Sequence, residues 1–230
     1  MGETTRVHTV PVGFDRCYIL EGEGVVMVDG GAPGRARAFK AGLARLALQP
    51  RDIGLVVVTH GHFDHIGSAK AIKDLTGARL AMHERERTAL EEGRSLDVPP
   101  AHTAWGRVLL LALGPLAPRF DIPAAPVDVV LSDGDLPLAP YGVRGRVVHT
   151  PGHTDGSVSV LLDTGEAFVG DLAMNGFPLR RGPGLPVFAQ DIAQVRASAR
   201  KLLDAGATTI YPAHGRPFPA EVLRRELEAA

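Results

Sequence analysis

The feature that most constrains this chain is an apolar run that is followed almost at once by a dense group of histidines. Residues 53–58 read IGLVVV, and the motif His60-x-His62-x-Asp64-His65 begins two positions later. A continuous apolar run predicts a strand that is buried on both faces. The motif then lies at the C-terminal end of that strand, where open α/β sheets usually bind their ligands. Neutral imidazoles and a carboxylate together are typical ligands of a divalent cation such as zinc.

Three more residues elsewhere in the chain have the character of metal ligands. His153, Asp171 and His214 each follow a predicted strand, and each lies beside or close to a glycine or proline. Side chains at the ends of rigid strands are well pre-organised for binding. We therefore expect them to complete a metal site that the local motif begins.

Other polar residues near these candidates predict supporting roles. His149 is more consistent with a structural hydrogen-bond partner than with a ligand, and Asp29 is a candidate to fix a ligand imidazole from behind. His83 follows a strand and could approach the cleft, and His102 lies in a predicted cap insertion (residues 83–126) and could touch the substrate, so both stay open.

Composition narrows the class of protein. The chain has 230 residues, 45% of them hydrophobic and 22% charged, with a formal net charge of −1. Such a balance is typical of a globular protein and gives no electrostatic reason to expect nucleic acid or an acidic membrane as partner. Cys17 is the single cysteine, which excludes an intrachain disulfide and a cysteine-based zinc cluster. The first residues carry no apolar signal region, so we expect a cytoplasmic location.

The periodicity of the chain predicts alternating strands and helices, in a layered α/β arrangement with helices outside two packed sheets. Predicted strands cover residues 7–12, 17–20, 25–28, 53–58, 79–82, 127–131, 136–138, 144–149, 157–162, 167–169 and 208–211. Predicted helices cover residues 35–48, 66–75, 84–92, 105–113 and 189–203, with a last helix from residue 220. Residues 83–126 break the rhythm, and we interpret them as a proline-bounded helical insertion, a cap within a single domain over residues 1–230. The apolar stretch at 108–116 is about half the roughly 20 residues that a membrane-spanning helix needs.

At this point the chain resembles the metallo-β-lactamase-fold hydrolases, and among them the glyoxalase II-like branch. The resemblance rests on the motif above, on Asp29-Gly30-Gly31, on Gly170-Asp171 and on Ala213-His214-Gly215. It implies a four-layer αβ/βα sandwich with a dinuclear metal centre between the sheets. It also implies the ligands: His60, His62 and His153 for the first ion, Asp64, His65 and His214 for the second, and Asp171 as a bridge between both.

The chemistry expected of such a centre is hydrolysis by a metal-bridging hydroxide, because two divalent ions that share a water lower its pKa to about 7 or below. The resemblance suggests that Asp64 also orients this nucleophile. We expect two divalent ions, zinc before iron or manganese, and a small-molecule substrate with an ester-like bond such as a thioester or lactone. Residues 172–183 show no specific match to glutathione-binding residues. Arg180 and Arg181 stay open as contacts for an anionic group or as a solvated pair.

Several alternatives remain beside this reading. A mononuclear non-haem iron dioxygenase of the persulfide type has the same fold, although the presence of Asp64, His65 and His214 favours the dinuclear hydrolase. A β-lactamase, a nucleic-acid-processing enzyme and a non-enzymatic metal-binding module are less favoured. The segment 105–116 stays open as the wall of an acyl pocket, as a homodimer interface or as part of the cap's own core.

Overall fold

The computed structural model describes residues 4–12, 15–113 and 121–229. It contains two six-stranded sheets, each with its strands in sequence order from one edge to the other. The strands of the first sheet are β1 (Arg6–Pro11), β2 (Arg16–Glu21), β3 (Val25–Val28), β4 (Ile53–Val57), β5 (Arg79–His83) and β6 (Val129–Leu131). Those of the second are β7 (Leu136–Pro137), β8 (Gly145–His149), β9 (Val158–Leu162), β10 (Glu166–Phe168), β11 (Thr209–Tyr211) and β12 (Phe218–Pro219).

Seven α-helices connect or flank these strands in the described part of the chain. They are α1 (Ala36–Arg45), α2 (Phe63–Ile66), α3 (Ala69–Thr76), α4 (Arg87–Glu91), α5 (Ala104–Leu113), α6 (Ile192–Asp204) and α7 (Glu221–Glu228). Single turns of 3₁₀-helix occur at Pro50–Asp52 and Ala139–Tyr141. No helix among the described residues has the length and apolar character needed to cross a membrane.

Strand direction brings the functional ends of the sheets together. In the first sheet, β1 to β3 are antiparallel neighbours, and β3 to β6 run parallel to one another. In the second sheet, β8, β9 and β10 alternate in direction, and β11 is parallel to β10. Strands β8, β10 and β11 therefore point the same way, and their C-terminal ends lie at one edge of the sheet.

Three apolar layers separate four layers of secondary structure. One layer packs α1 and α3 on the first sheet, one packs α6 and α7 on the second sheet, and one lies between the two sheets. On β4, Leu55 and Val57 belong to the layer between the sheets, whereas Val56 and the following Val58 belong to the layer under α1 and α3. This explains the continuous apolar run of the sequence, because a strand with helices on one side and a sheet on the other buries both faces. The predicted four-layer α/β fold is confirmed.

The helix predicted over residues 66–75 corresponds to α3, and its first residue, Ile66, instead ends the separate short helix α2. The carbonyl of His65 accepts from the backbone N–H of Gly30 at 2.8 Å, so a neighbouring loop interrupts the helix. A Cβ at Gly67 would also clash with Pro33, which shows how closely the two segments approach. The interruption depends on contacts between residues distant in sequence, and periodicity alone does not indicate it. The short strand β12 was also absent from the prediction.

The insertion over residues 83–126 is less of a separate cap than predicted. Its helices α4 and α5 are present, but Leu90, Ile122 and Ala125 pack in the same apolar layer as α1, α3 and the first sheet. The backbone N–H of Ala125 also donates to the carbonyl of Leu90 at 3.0 Å. The predicted proline-rich return at Pro115 and Pro118 lies outside the described residues, and the single-domain organisation stays a prediction.

Tyr18 joins the two sheets by a hydrogen bond that a mutation can test. Its buried hydroxyl on β2 donates to the carbonyl of Pro212 at 2.6 Å, and its ring contacts Phe168 and Tyr211 of the second sheet. We expect Tyr18→Phe to lower the free energy of unfolding by about 1–2 kcal/mol, because the buried carbonyl loses its partner. Urea unfolding measures this value.

The matched control is Tyr141→Phe, since that hydroxyl makes only a long 3.3 Å bond from exposed Arg79. Equal stability of Tyr18→Phe and the wild type would contradict the role given to this hydrogen bond.

Candidate metal centre

The histidine motif spans the loop after β4 and the start of the short helix α2. His60 and His62 occupy the connecting loop, and Asp64 and His65 lie in the first turn of α2. The loop adopts an extended backbone at His62 before the helix begins. An extended segment that turns into a helix fans neighbouring side chains in different directions, so His60 and His62 point to one place and Asp64 and His65 to another.

The second sheet supplies the other three candidate ligands from its C-terminal edge. His153 follows β8, Asp171 follows β10 and His214 follows β11, and all three are buried. The structure therefore brings together all seven residues that the sequence singles out. Their atoms form two groups, each with its potential ligand atoms within 4.8 Å of one another. The first group is His60, His62, His153 and Asp171, and the second is Asp64, His65 and His214.

The first group is compact. Nδ1 of His62 lies 2.9 Å from Nε2 of His60 and 3.1 Å from Nε2 of His153. Oδ2 of Asp171 lies 3.6 Å from the same nitrogen of His153. Ligand atoms at these separations are close enough to one another to share a single metal ion.

Hydrogen bonds behind the three imidazoles assign their tautomers. Nδ1 of His153 donates to the carbonyl of Phe188 at 2.9 Å, and Nε2 of His62 donates to the carbonyl of Asp97 at 3.1 Å. Nδ1 of His60 lies 3.1 Å from Oγ1 of Thr59, whose own hydrogen goes to a carboxylate. The nitrogens that face one another therefore all carry lone pairs. Three converging lone pairs repel one another, and a cation between them turns the repulsion into coordination.

Burial keeps these imidazoles neutral. Desolvation lowers the pKa of His60 well below its usual value, with neighbouring imidazoles adding to the effect. Desolvation, together with the nearby His153, lowers the pKa of His62 to about 4. Neutral imidazoles are the form that binds metal ions, so this group fits a divalent cation at neutral pH.

The second group has one carboxylate of its own, Asp64, and Asp171 of the first group lies beside it. Nε2 of His214 lies 3.3 Å from Oδ2 of Asp64 and 3.4 Å from Oδ1 of Asp171. Nε2 of His65 lies 3.6 Å from that same Oδ1 and 4.0 Å from Oδ1 of Asp64. Asp171 thus directs one oxygen toward the first group and the other toward the second.

The carboxylates of this group favour positive charge among them. Burial opposes a proton on His65, but the carboxylates of Asp29, Asp64 and Asp171 raise its pKa to about 10. The pKa of His214 also lies well above its usual value, because Asp171 and Asp64 outweigh the effect of burial. Among the described residues, Nε2 of His65 and Oδ1 of Asp171 are buried without a hydrogen-bond partner. These two unpaired atoms fit a second divalent cation, whose positive charge would be stabilised by the neighbouring carboxylates.

A match to known proteins agrees with this geometry. A family model described as "Metallo-beta-lactamase superfamily" matches residues 10–214. The chain belongs to that superfamily.

Individual relatives cover nearly the whole chain. The "Probable metallo-hydrolase YflN" of Bacillus subtilis is 26% identical, with 96% of this chain and 88% of the relative matched. The "Probable metallo-hydrolase MJ0888" of Methanocaldococcus jannaschii is 27% identical, with 86% of each chain matched. The crystal structure of the BLEG-1 B3 metallo-beta-lactamase has a TM-score of 0.67 at 24% identity, covering 94% of this chain and 95% of its own. That structural likeness shows the fold.

The superfamily motif is supported from behind by Asp29, as the sequence suggested. Oδ2 of Asp29 accepts from Nδ1 of His65 at 3.0 Å, and its Oδ1 accepts both the backbone N–H and the hydroxyl of Thr59 at 2.8 Å. Asp29 is one of the two described non-glycine residues with a positive φ, at 64°. Its carboxylate thus fixes the tautomer of one candidate ligand directly and of His60 through Thr59.

Glu86 is a functional residue that sequence reasoning missed. Its buried carboxylate accepts from the backbone N–H of Gly61 at 2.7 Å and from that of Gly156 at 2.6 Å. Gly61 lies between His60 and His62, and Gly156 lies three residues after His153. One carboxylate therefore joins the two loops that carry the imidazoles of the first group. Nothing in the charged stretch before α4 distinguishes Glu86 from its exposed neighbours.

Asp15 was missed for a similar reason. It is buried at the start of β2, and its Oδ1 lies 3.5 Å from Nδ1 of His214. Burial, followed by the nearby charge of Asp64, raises its pKa to about 7. A single aspartate before a strand gives no signal in the sequence, because only the fold brings it to His214.

The histidines that the sequence left open lie outside the two groups. The rings of His83 and His149 stack at 4.3 Å, and both contact Asp133. Nδ1 of His83 accepts from the backbone N–H of Arg85, which assigns its hydrogen to Nε2, toward Asp133. This arrangement is a hydrogen-bond network rather than a set of converging lone pairs. His102 contacts the carbonyl of Ala189 at 2.6 Å.

Two cavities adjoin the centre and the insertion. The first cavity has a volume of about 370 Å³ and is lined in part by His214. The second has a volume of about 500 Å³ and is lined in part by Trp105 of α5. Phe177 lines both cavities. Trp105 donates to the carbonyl of Pro178 at 2.7 Å, and Leu109 is buried against residues of the main body. Of the alternatives for α5, the described contacts favour a cavity wall over a core within the cap.

Substitution of Glu86 tests the support of the first group. We expect Glu86→Gln to lower the affinity for the first divalent ion by about 10- to 100-fold, because an amide N–H would face a backbone N–H and separate the two loops. Titration of the protein with zinc against a chromophoric chelator measures each binding step. The second step, at Asp64, His65 and His214, should change less.

The control is Glu84→Gln, an exposed glutamate two residues away. Unchanged zinc affinity in Glu86→Gln would show that the hydrogen bonds to Gly61 and Gly156 do not position the ligands.

Proposed function

We propose that this chain is a dinuclear-metal hydrolase that cleaves an ester-like bond, such as a thioester or lactone, in a small molecule. The observation that carries the proposal is the position of Asp171, whose two carboxylate oxygens face the two groups of candidate ligands. A single carboxylate that serves both groups is the arrangement expected for a pair of ions about 3.5–4 Å apart. Membership of the superfamily and the names of the two metallo-hydrolase relatives support hydrolysis as the reaction.

When bound, two divalent ions supply a hydroxide nucleophile at neutral pH and a Lewis acid that polarises the scissile carbonyl. The chain's own residues perform the rest. Three neutral imidazoles and Asp171 would hold one ion, and Asp64, His65, His214 and the shared Asp171 would hold the other. The hydrogen bonds of Asp29, Phe188 and Asp97 keep His65, His153 and His62, respectively, in the tautomer that leaves a lone pair for the ion.

Asp64 is the residue we assign to orienting the nucleophile. Its side chain is 14% exposed, whereas that of Asp171 is 7% exposed. The Asp64 carboxylate is therefore the more open of the two to a water molecule in the cleft. An oxygen of Asp64 accepts a hydrogen bond from that water and fixes the direction of its attack.

We propose zinc as the ion, with iron and manganese as alternatives. Imidazole nitrogens and carboxylate oxygens suit zinc, and they also suit iron and manganese. The glyoxalase II-like branch is part of this proposal, since it is the resemblance at Gly170-Asp171 that suggests an ester-like bond rather than a β-lactam as the substrate.

A second candidate rests on the first group alone. His60, His62, His153 and Asp171 together suffice to hold one iron ion, as in a mononuclear dioxygenase of the persulfide type. The complete second group favours the dinuclear hydrolase, because a single ion in the first group leaves the buried Nε2 of His65 and the carboxylate of Asp64 without a role as ligands.

Metal analysis and a substrate panel separate the two candidates. We expect about two zinc ions per chain by elemental analysis and hydrolysis of at least one ester in a panel of thioesters, lactones, β-lactams and phosphodiesters. One iron ion per chain, with oxygen consumption on glutathione persulfide, would replace the hydrolase by the dioxygenase.

Substitution of the shared carboxylate gives a sharper test. We expect Asp171→Ala to lower kcat/KM by at least about 100-fold and to reduce bound metal, because it removes a ligand from both ions. His60→Ala should have a similar effect on activity but should spare the second ion. The control is Asp163→Ala, an exposed aspartate in the turn after β9. Full metal content and activity in Asp171→Ala would refute the dinuclear centre.

A further inference from the structure

A cavity of about 370 Å³ shares a wall with the candidate metal centre. Its lining includes His214 together with Asp15, Arg16, Asn175, Phe177 and Arg216. This volume lies in the range of small-molecule sites. His214 belongs to both the cavity and the second group of candidate ligands, so a molecule in the cavity lies next to the centre.

Two arginines that line this cavity, Arg16 and Arg216, have no carboxylate partner among the described residues. In the described part of the chain, neither Arg16 nor Arg216 forms an ion pair or donates a side-chain hydrogen bond. Arg180, by contrast, pairs with Glu226 at 3.1 Å and donates to the carbonyl of Leu185. The one acidic residue in the described lining, Asp15, is buried and faces Nδ1 of His214.

Backbone hydrogen bonds hold both arginines beside the loop of His214. The N–H of Arg16 donates to the carbonyl of Ala213 at 3.0 Å, next to His214. The carbonyl of Arg216 accepts from Nδ2 of Asn175 at 2.9 Å, and the N–H of Asn175 donates to the carbonyl of His214 at 2.8 Å. The two guanidinium groups thus rise from a fixed backbone, although they come from residues 200 positions apart in the sequence.

We propose that this cavity binds an anionic oxygen group, a carboxylate or a phosphate, carried by the molecule whose ester-like bond is cleaved. Guanidinium groups recognise both anions through paired N–H donors. An anion held by Arg16 and Arg216 places the rest of the substrate against His214 and the metal centre. This inference rests on the proposed hydrolase function, and it adds the chemical class of the substrate to it. It also assigns the anion to a pair other than Arg180 and Arg181, which the sequence left open as contacts for an anionic group or as a solvated pair.

Binding measurements test the cavity apart from catalysis. The zinc-loaded protein is titrated calorimetrically with glutarate and, separately, with inorganic phosphate, and the tighter of the two identifies the preferred anion. We expect Arg16→Gln and Arg216→Gln each to weaken that binding by about 5- to 20-fold, because each removes a charged donor. Arg181→Gln is the matched control, since this exposed arginine lines the neighbouring cavity. Binding that changes less than twofold in both variants, or that depends on Arg181 instead, would overturn the proposal.

A matched pair of substrates then connects the cavity to turnover. Two aryl thioesters are compared that differ only in a carboxylate or its methyl ester on the ring. We expect wild type to favour the carboxylate by about tenfold in kcat/KM, and the ratio to fall toward one in Arg16→Gln through a higher KM.

The two experiments separate the two claims. Glutarate or phosphate binding that needs both arginines, in a protein that hydrolyses no ester, would reject the hydrolase and retain the anion site. Hydrolysis without preference for the carboxylate and without dependence on either arginine would reject the anion site and retain the hydrolase.

Discussion

Converging lone pairs on buried imidazoles are the constraint on which the rest of this structure depends. Three imidazole nitrogens meet at 2.9–3.1 Å in the first group, and each is turned inward by an acceptor behind its ring. Such an arrangement is unfavourable for the polypeptide alone, because lone pairs and carboxylates repel one another in a medium of low dielectric constant. It persists because the supporting hydrogen bonds are made by backbone and buried side chains that belong to the folded core. The folded chain therefore favours the binding of a cation between these side chains.

The fold provides that rigidity through the parallel direction of β8, β10 and β11 and through the apolar layer between the sheets. Each strand ends at the same edge and delivers one ligand there, so no ligand of the second sheet depends on a long loop. Tyr18 and the apolar layer around Phe168 fix the position of the first sheet, with its histidine motif, relative to that edge of the second sheet. Glu86 adds a direct connection between the loops of the two sheets. A change in the packing between the sheets would thus move all the ligands of one sheet relative to those of the other.

The sequence predicts those parts of the site whose residues lie close together in the chain or beside a recognisable strand end. The motif after β4 was predictable because an apolar strand and four closely spaced ligands lie within one short segment, and His153, Asp171 and His214 were found because each follows a strand beside glycine or proline. Glu86 and Asp15 were missed because their roles arise only when distant loops meet. The division of the helix at Gly67 has the same origin, since Gly30 and Pro33 cause it. Asp29 was found only through its place before two glycines.

The wall of the cavity that we propose for the substrate differs in construction from the metal centre. The ligands lie on strand ends and are buried, whereas Phe177 is 69% exposed and Arg216 lies on the surface of the loop after β11. Exposed residues in the cavity wall tolerate substitution, because little core packing depends on them. A buried ligand at the end of a strand does not tolerate substitution. A hydrolase of this fold can therefore keep one chemistry and change its substrate through a few cavity residues. Arg16 should tolerate substitution less well than Arg216, because it also begins β2 and its backbone N–H donates to the carbonyl of Ala213 beside the metal centre.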